Sequence, residues 1–171
     1  YKAGTIEFET LFTPGHTPAC ATYKFGDNIF TGDTIFMADS GTGRCDFPGG
    51  SSSDLFNSVV NVLYKLPDDT KVFVGHDYQP NGREVRFLDT IGNQKKHNIA
   101  LPITRSERDF TEWRNTRDKG LSAPKLLFQS VQVNVDAGKL PDPQANEIRY
   151  LKISINVFRP PQKGELKLEL A

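Results

Sequence analysis

Apolar and polar positions change period several times along the chain, and each change marks an element. Ile6 and Phe8 alternate with Glu7 and Glu9, the period of a strand with one covered face, so residues 1–12 are expected to form a strand. Residues 20–25 read as a second strand. Residues 27–31 read as the end of a third that stops at Gly32, and Lys71-Val72-Phe73-Val74-Gly75 as a fourth. Between them Leu55, Val59 and Leu63, with Phe56 and Val60, recur at helical spacing. Ser51-x-x-Asp54 is a capping-box-like start, so a helix is expected over 51–66, ended by Pro67. Strand, helix and strand in this order form the β–α–β unit of layered α/β folds. A further helix is expected over 85–97, weakened by Gly92. Another runs from the Ser106-Glu107-Arg108-Asp109 cap towards Asp118, with Gly120 as its stop and Trp113 as a core anchor.

After Ala123 the pattern changes. Five prolines between Pro124 and Pro161 interrupt short apolar runs, which predicts an extended tail over 124–171 beside a domain over 1–123. Leu126, Leu127, Phe128, Val131, Val133, Ile153, Ile155 and Val157 are too many apolar residues for a disordered linker. The tail therefore packs on its own domain or on the partner subunit of a homodimer. Residues 162–171 alternate Glu and Lys with Leu, as an edge strand or an appended end does.

Composition narrows the class. The 171 residues, 37% hydrophobic, suffice for one domain with a real core. Lys+Arg and Asp+Glu balance at 21 each, so neither nucleic acid nor a membrane surface is expected as a partner. No apolar run approaches the length of a membrane span. Cys20 and Cys45 lack C-x-x-C spacing, which argues against a disulfide framework and a thiolate zinc site and fits a reducing compartment. Cys20 reads as a small buried strand residue. Cys45 would be reactive only if its neighbour Arg44 lowered its pKa.

The candidate chemistry lies at strand ends. Pro14 and Gly15 make Thr13-Pro14-Gly15-His16-Thr17 a sharp turn with the His16 imidazole at its tip. Gly32 places Asp33 at the end of the next strand, and Gly75 places His76, followed by Asp77 and Tyr78, at the end of another. Three strand ends thus each deliver a ligand-type residue directly after a glycine, and a metal centre explains this better than three separate turn or cap residues. On the residues alone the triad is His16, Asp33 and His76. Asp77 would orient a ligand imidazole or brace its loop. Residues 39–50, rich in Gly, Ser and Asp, form a long functional loop that carries Arg44. On the residues alone Arg44 is a surface arginine or forms a loop-pinning ion pair with Asp46. His97, among Lys95, Lys96 and Asn98, reads as a solvated surface residue.

These motifs, in this order, resemble the metallo-β-lactamase fold superfamily. The segment Gly43-Arg44-Cys45-Asp46-Phe47-Pro48-Gly49-Gly50, with His76-Asp77-Tyr78 and Arg83-Glu84, resembles its persulfide dioxygenase branch and the bacterial β-lactamase-like hydrolases. Gln129-Ser130-Val131-Gln132-Val133-Asn134, Leu140-Pro141 and Arg149-Tyr150-Leu151-Lys152-Ile153 resemble the tail of the same hydrolases. The implied fold class is α/β, the second half of an αββα sandwich. The superfamily's H-x-H-x-D-H loop is absent, so the first sheet and that loop are expected upstream, as an N-terminal half outside this chain.

The resemblance implies a non-haem Fe(II) dioxygenase that converts glutathione persulfide and O₂ to glutathione and sulfite. His16 and Asp33 would hold the iron together with a histidine of the absent loop. His76 matches the second-metal ligand of two-metal hydrolases and, with Asp77, would lie outside the iron site. Arg44 would contact the glutathione moiety, with Tyr78 and Arg83 at the edge of the substrate pocket. The implied location is cytoplasmic, or the mitochondrial matrix in a eukaryote. Two other readings stand beside it: a binuclear Zn thioester hydrolase of the hydroxyacylglutathione type, and an inactive fragment lacking the first metal-binding loop.

Overall fold

The structure, a computed structural model, describes residues 1–122, 124 and 126–152. The chain divides into two compact units after Leu121. The first unit is built on a five-stranded sheet of order β3-β4-β5-β6-β7, formed by β3 (Glu9–Phe12), β4 (Ala21–Phe25), β5 (Asn28–Phe30), β6 (Lys71–Phe73) and β7 (Leu88–Thr90). Only β5 and β6 are parallel, because a helical crossover over residues 51–66 joins them, as the β–α–β spacing requires. The metal-type residues follow the C-terminal ends of β3 (His16), β5 (Asp33) and β6 (His76).

The crossover starts where its cap predicts. Ser51 Oγ accepts from the Asp54 N–H at 3.1 Å and opens α1 (Ser52–Asn57). The coil then widens into a π turn at Ser58–Val62 and tightens into a 3-10 turn at Leu63–Lys65. Ser58 Oγ donates to the Pro14 carbonyl at 2.7 Å, which ties the widened turn to the loop bearing His16. Leu55, Val59 and Leu63 are fully buried against Ile29 and Val72 of the sheet, with Ile91, Leu101 and Phe110 closing the core. Gly15 is required at this contact: its φ is +139°, and a Cβ there would lie 2.4 Å from the Leu55 Cα.

Three expectations are corrected. Residues 1–12 do not form one strand, because Gly4, at φ +62°, turns the chain between β1 (Lys2–Ala3) and β2 (Ile6–Glu7) before β3 begins. Residues 85–97 are not one helix. Leu88–Thr90 pairs with β6 instead, and Thr90 Oγ1, accepting from the Asn93 N–H, caps α2 (Ile91–His97). The tail is not wholly extended, since Leu127–Val135 forms α4. By contrast α3 (Glu107–Asp118) runs as its Ser106 cap predicts.

The two faces of the sheet differ in cover. Ile29 and Val72 face the helices. Their neighbours Tyr23, Phe30, Phe73 and Leu88 stand in one register row across four strands on the opposite face. Phe30 and Phe73 stack at 5.0 Å, and Phe25 meets Phe30 edge-on at 5.5 Å. Tyr23, Phe30 and Leu88 nevertheless remain 44–46% exposed. An open hollow of about 650 Å³ lies over this row.

In the second unit, the Gln132 side-chain amide and the Lys152 main chain pair reciprocally, at 2.5 and 2.7 Å. Arg149 Nη1 donates to the Pro141 carbonyl at 2.5 Å. Ile153, Ile155, Val157 and residues 162–171 lie outside the described residues. No described helix is long and apolar enough to cross a membrane.

Candidate metal centre

Asp33 is the hub of the site. Its Oδ2 lies 3.3 Å from His16 Nε2 and its Oδ1 3.2 Å from His76 Nε2. The sequence-predicted trio is therefore brought together, but each imidazole faces a different carboxylate oxygen. Among the described residues no three His, Cys, Asp or Glu groups converge to hold one ion. The Asp33 carboxylate has one imidazole on either side.

The donors suit a metal. Two ligands bonded at about 2.0–2.2 Å to one ion stand roughly 3 Å apart, which is the spacing of both pairs. All are N and O donors, the set that zinc, iron and manganese accept. Hydrogen bonding from His16 holds the Asp33 carboxyl below its usual range, against the opposing cost of burial. The same bond raises the His16 imidazole above its ordinary value. A bound cation would take the place of that proton.

His16 is oriented from behind. Its Nδ1 lies 2.6 Å from the Arg44 main-chain oxygen, and a carbonyl can only accept, so Nδ1 carries a proton and Nε2 is directed to Asp33. The Phe47 ring meets the imidazole edge-on at 5.2 Å. Gly43 makes the approach possible: a Cβ there would stand 2.1 Å from the Asp33 carbonyl and 3.1 Å from His16 Nδ1.

The Arg44 guanidinium grips Asp46 through Nε and Nη2, both at 2.5 Å, and lies over the Phe47 ring at 5.1 Å. The ion pair weighed from the sequence is therefore present, and it presents a preorganised guanidinium beside the site. Cys45 is buried, and desolvation, with the nearby Asp118 charge, pushes its thiol up to about 12. This is the reverse of an activated nucleophile. Cys20 is only half-buried, its sulfur 3.1 Å from Thr17 Oγ1.

The other sequence-predicted residues separate. All five Arg83 N–H donors are used, on Asp39, Asp77 and the Glu84 carbonyl, at 2.6–2.9 Å. Asp77 does not meet an imidazole: it braces the loop, accepting from Arg83 and from the Gln79 and Arg86 N–H groups. Tyr78 is two-thirds exposed, its ring edge-on to Phe36 at 5.3 Å and 6.1 Å from His76. His97 is exposed.

Sequence reading missed the supports. Asp39 anchors Arg83, while Gln94 of α2 and its C-cap Asn98 donate to the Phe36 and Gly41 carbonyls at 2.9 and 3.1 Å. Arg114 and Asp118 of α3 hold the 42–45 segment. The i,i+4 spacing of Arg114 and Asp118 was a readable signal for the pair. Nothing in the sequence named its loop partner.

Residues 4–76 match the family model described as the metallo-beta-lactamase superfamily. These residues belong to the metallo-beta-lactamase superfamily. A "Beta-lactamase hydrolase-like protein" of Xylella fastidiosa (strain Temecula1 / ATCC 700964) is 50% identical over 158 residues, 92% of this chain and 36% of the relative. The human protein named "Persulfide dioxygenase ETHE1, mitochondrial" is 39% identical over 79 residues, 45% of this chain and 30% of its own length. The crystal structure of ETHE1 from Myxococcus xanthus superposes with a TM-score of 0.72 at 35% identity, covering 81% of this chain and 57% of that one. The chain thus spans about a third of the Xylella relative, and its fold is part of the metallo-beta-lactamase fold. His16, Asp33 and His76 all fall within the matched segment.

Proposed function

We propose that the protein containing this chain is a metal-dependent oxidoreductase that oxidises glutathione persulfide with O₂ to glutathione and sulfite. The supporting observation is the placement of the 43–47 loop, which turns His16 towards Asp33 with its Arg44 carbonyl and lays the Arg44 guanidinium, fixed by Asp46, over the Phe47 ring that meets His16. The likeness to the Myxococcus structure and to the human persulfide dioxygenase points the same way.

His16 and Asp33 would hold the metal. A bound Fe(II) would supply electron transfer between the persulfide and O₂. Arg44, fixed by Asp46, would attract a glutathione carboxylate with its guanidinium charge. Tyr78, exposed on the same side, offers its phenol to the polar part of the substrate. The sum is glutathione persulfide plus O₂ plus water giving glutathione, sulfite and two protons. The outer sulfur loses four electrons and O₂ gains four. No side-chain nucleophile takes part, in keeping with the buried, protonated Cys45 thiol.

One observation favours a second reading. His76 faces the Asp33 oxygen that His16 does not, as a bridging carboxylate between two ions requires, and two zinc ions there would suit a thioester hydrolase. Metal analysis of protein purified without oxygen, with O₂ uptake on glutathione persulfide, separates the two. About one iron per chain and one sulfite per O₂ supports the oxygenase. Roughly two zincs and hydrolysis of a hydroxyacylglutathione overturns it.

A further inference from the structure

The back of the 42–45 segment rests on a buried ion pair. The Cys45 N–H donates to Asp118 Oδ2 at 2.7 Å, and Arg114 Nη1 donates to the Thr42 carbonyl at 3.3 Å. Arg114 Nη2 and Asp118 Oδ1 bind each other, with both side chains 5% exposed or less. The front of the same segment presents the Arg44 carbonyl to His16. One peptide unit therefore faces both ways, its carbonyl from Arg44 towards the imidazole and its N–H from Cys45 towards Asp118.

We propose that Asp118, held by Arg114, is the positioning residue for His16, acting through the Arg44–Cys45 peptide. An anionic acceptor on the N–H fixes the plane of that peptide and polarises it, so the carbonyl oxygen is a stronger and directed acceptor for Nδ1–H. The peptide plane cannot turn without breaking both bonds. The Trp113 ring, 5.0 Å from the Arg114 guanidinium, packs the far side of the pair. Ser52 Oγ donates to Asn115 Oδ1 at 2.9 Å and fixes α3 to α1, the helix that packs on Gly15 beside His16. Helix α3 thereby sets an imidazole that it does not touch. The consequence for metal binding rests on His16 being a ligand; the positioning itself does not.

The test reads the His16 Nδ1 proton by NMR in metal-free protein, with exposed His97 as internal reference. In the wild type this proton is expected to be protected from exchange. Asp118→Asn keeps the size of the side chain and removes its charge; Arg114→Met combined with Asp118→Asn removes both charges. Folded variants are expected to exchange the His16 proton at least about tenfold faster, with His97 unchanged. Wild-type protection in a cooperatively melting variant overturns the proposal. A measurement on the wild type decides the matter even where both variants unfold. The Cys45 amide and the His16 Nδ1 proton must lose protection in parallel as low denaturant is added, and unlinked responses overturn the proposal. Zinc titration of the same samples is a separate readout. A roughly 10- to 100-fold weaker affinity in the variants follows if His16 is a ligand. A wild type that binds no zinc removes the metal reading and leaves the positioning result standing.

Discussion

His16 Nδ1 stands 2.6 Å from the main-chain oxygen of Arg44, so a single loop residue supplies both the group that orients a ligand-type imidazole and the cation beside it. Binding and positioning are coupled by this contact. A shift of the 43–47 loop large enough to move the guanidinium also turns the imidazole.

Gly43→Ala tests that coupling. The added methyl would meet the Asp33 carbonyl at 2.1 Å and His16 Nδ1 at 3.1 Å, and backbone must move to admit it. Calorimetric titration with zinc is expected to show at least about tenfold weaker binding, the size of effect seen when groups supporting a ligand are lost.

Arg44→Ala is expected to raise KM for glutathione persulfide well above any fall in kcat, because the interaction lost is one made equally with substrate and transition state. Arg44→Lys should recover little, since an ammonium cannot reproduce the paired grip on Asp46 that fixes the cation. Steady-state O₂ uptake measures both, and unchanged kinetics in Arg44→Ala would remove Arg44 from the substrate site.

The Arg83 clamp predicts an acid-sensitive loop. Arg83 holds Asp77 and Asp39 below the usual carboxylate range. A depressed folded-state pKa gives stability that is present above the unfolded value, near 3.8, and lost as pH falls through the folded one. Protection of the Arg86 amide, which donates to Asp77, should thus hold from neutral pH to about 4 and fall below it. In Arg83→Met that protection should already be weak at neutral pH.

Leu63→Ala removes a fully buried side chain from the cluster between the crossover helix and the sheet. A loss of about 2–5 kcal/mol in unfolding free energy is expected. Denaturant titration followed by Trp113 fluorescence measures it, and a loss below 1 kcal/mol would mean that the core around Leu63 collapses to fill the space.

What the sequence made legible follows from the range of each interaction. The caps at Ser51 and Ser106, the Leu55, Val59 and Leu63 stripe, and the glycines before Asp33 and His76 are local devices, readable because their partners lie within a few residues. The meeting of His16, Asp33 and His76 was legible because strand ends on one side of a sheet converge. The second strand within residues 85–97 was not, since only pairing with β6 separates it from the start of α2. Arg83 read as a pocket residue because its partner Asp39 lies 44 positions away. The hold of Asp118 on the loop was unreadable for the same reason, since the Cys45 amide it accepts from lies 73 residues away.

The register row of Tyr23, Phe30, Phe73 and Leu88 bears on how the chain behaves in solution. With Ile29 and Val72 buried on the other side, the central strands are apolar on both faces, as in sheets covered twice. Formal charge is +0, so no long-range repulsion keeps two such faces apart. Association through this face is then expected to follow the solvent, strengthened by sulfate, which favours apolar burial, and weakened by mild chaotropes.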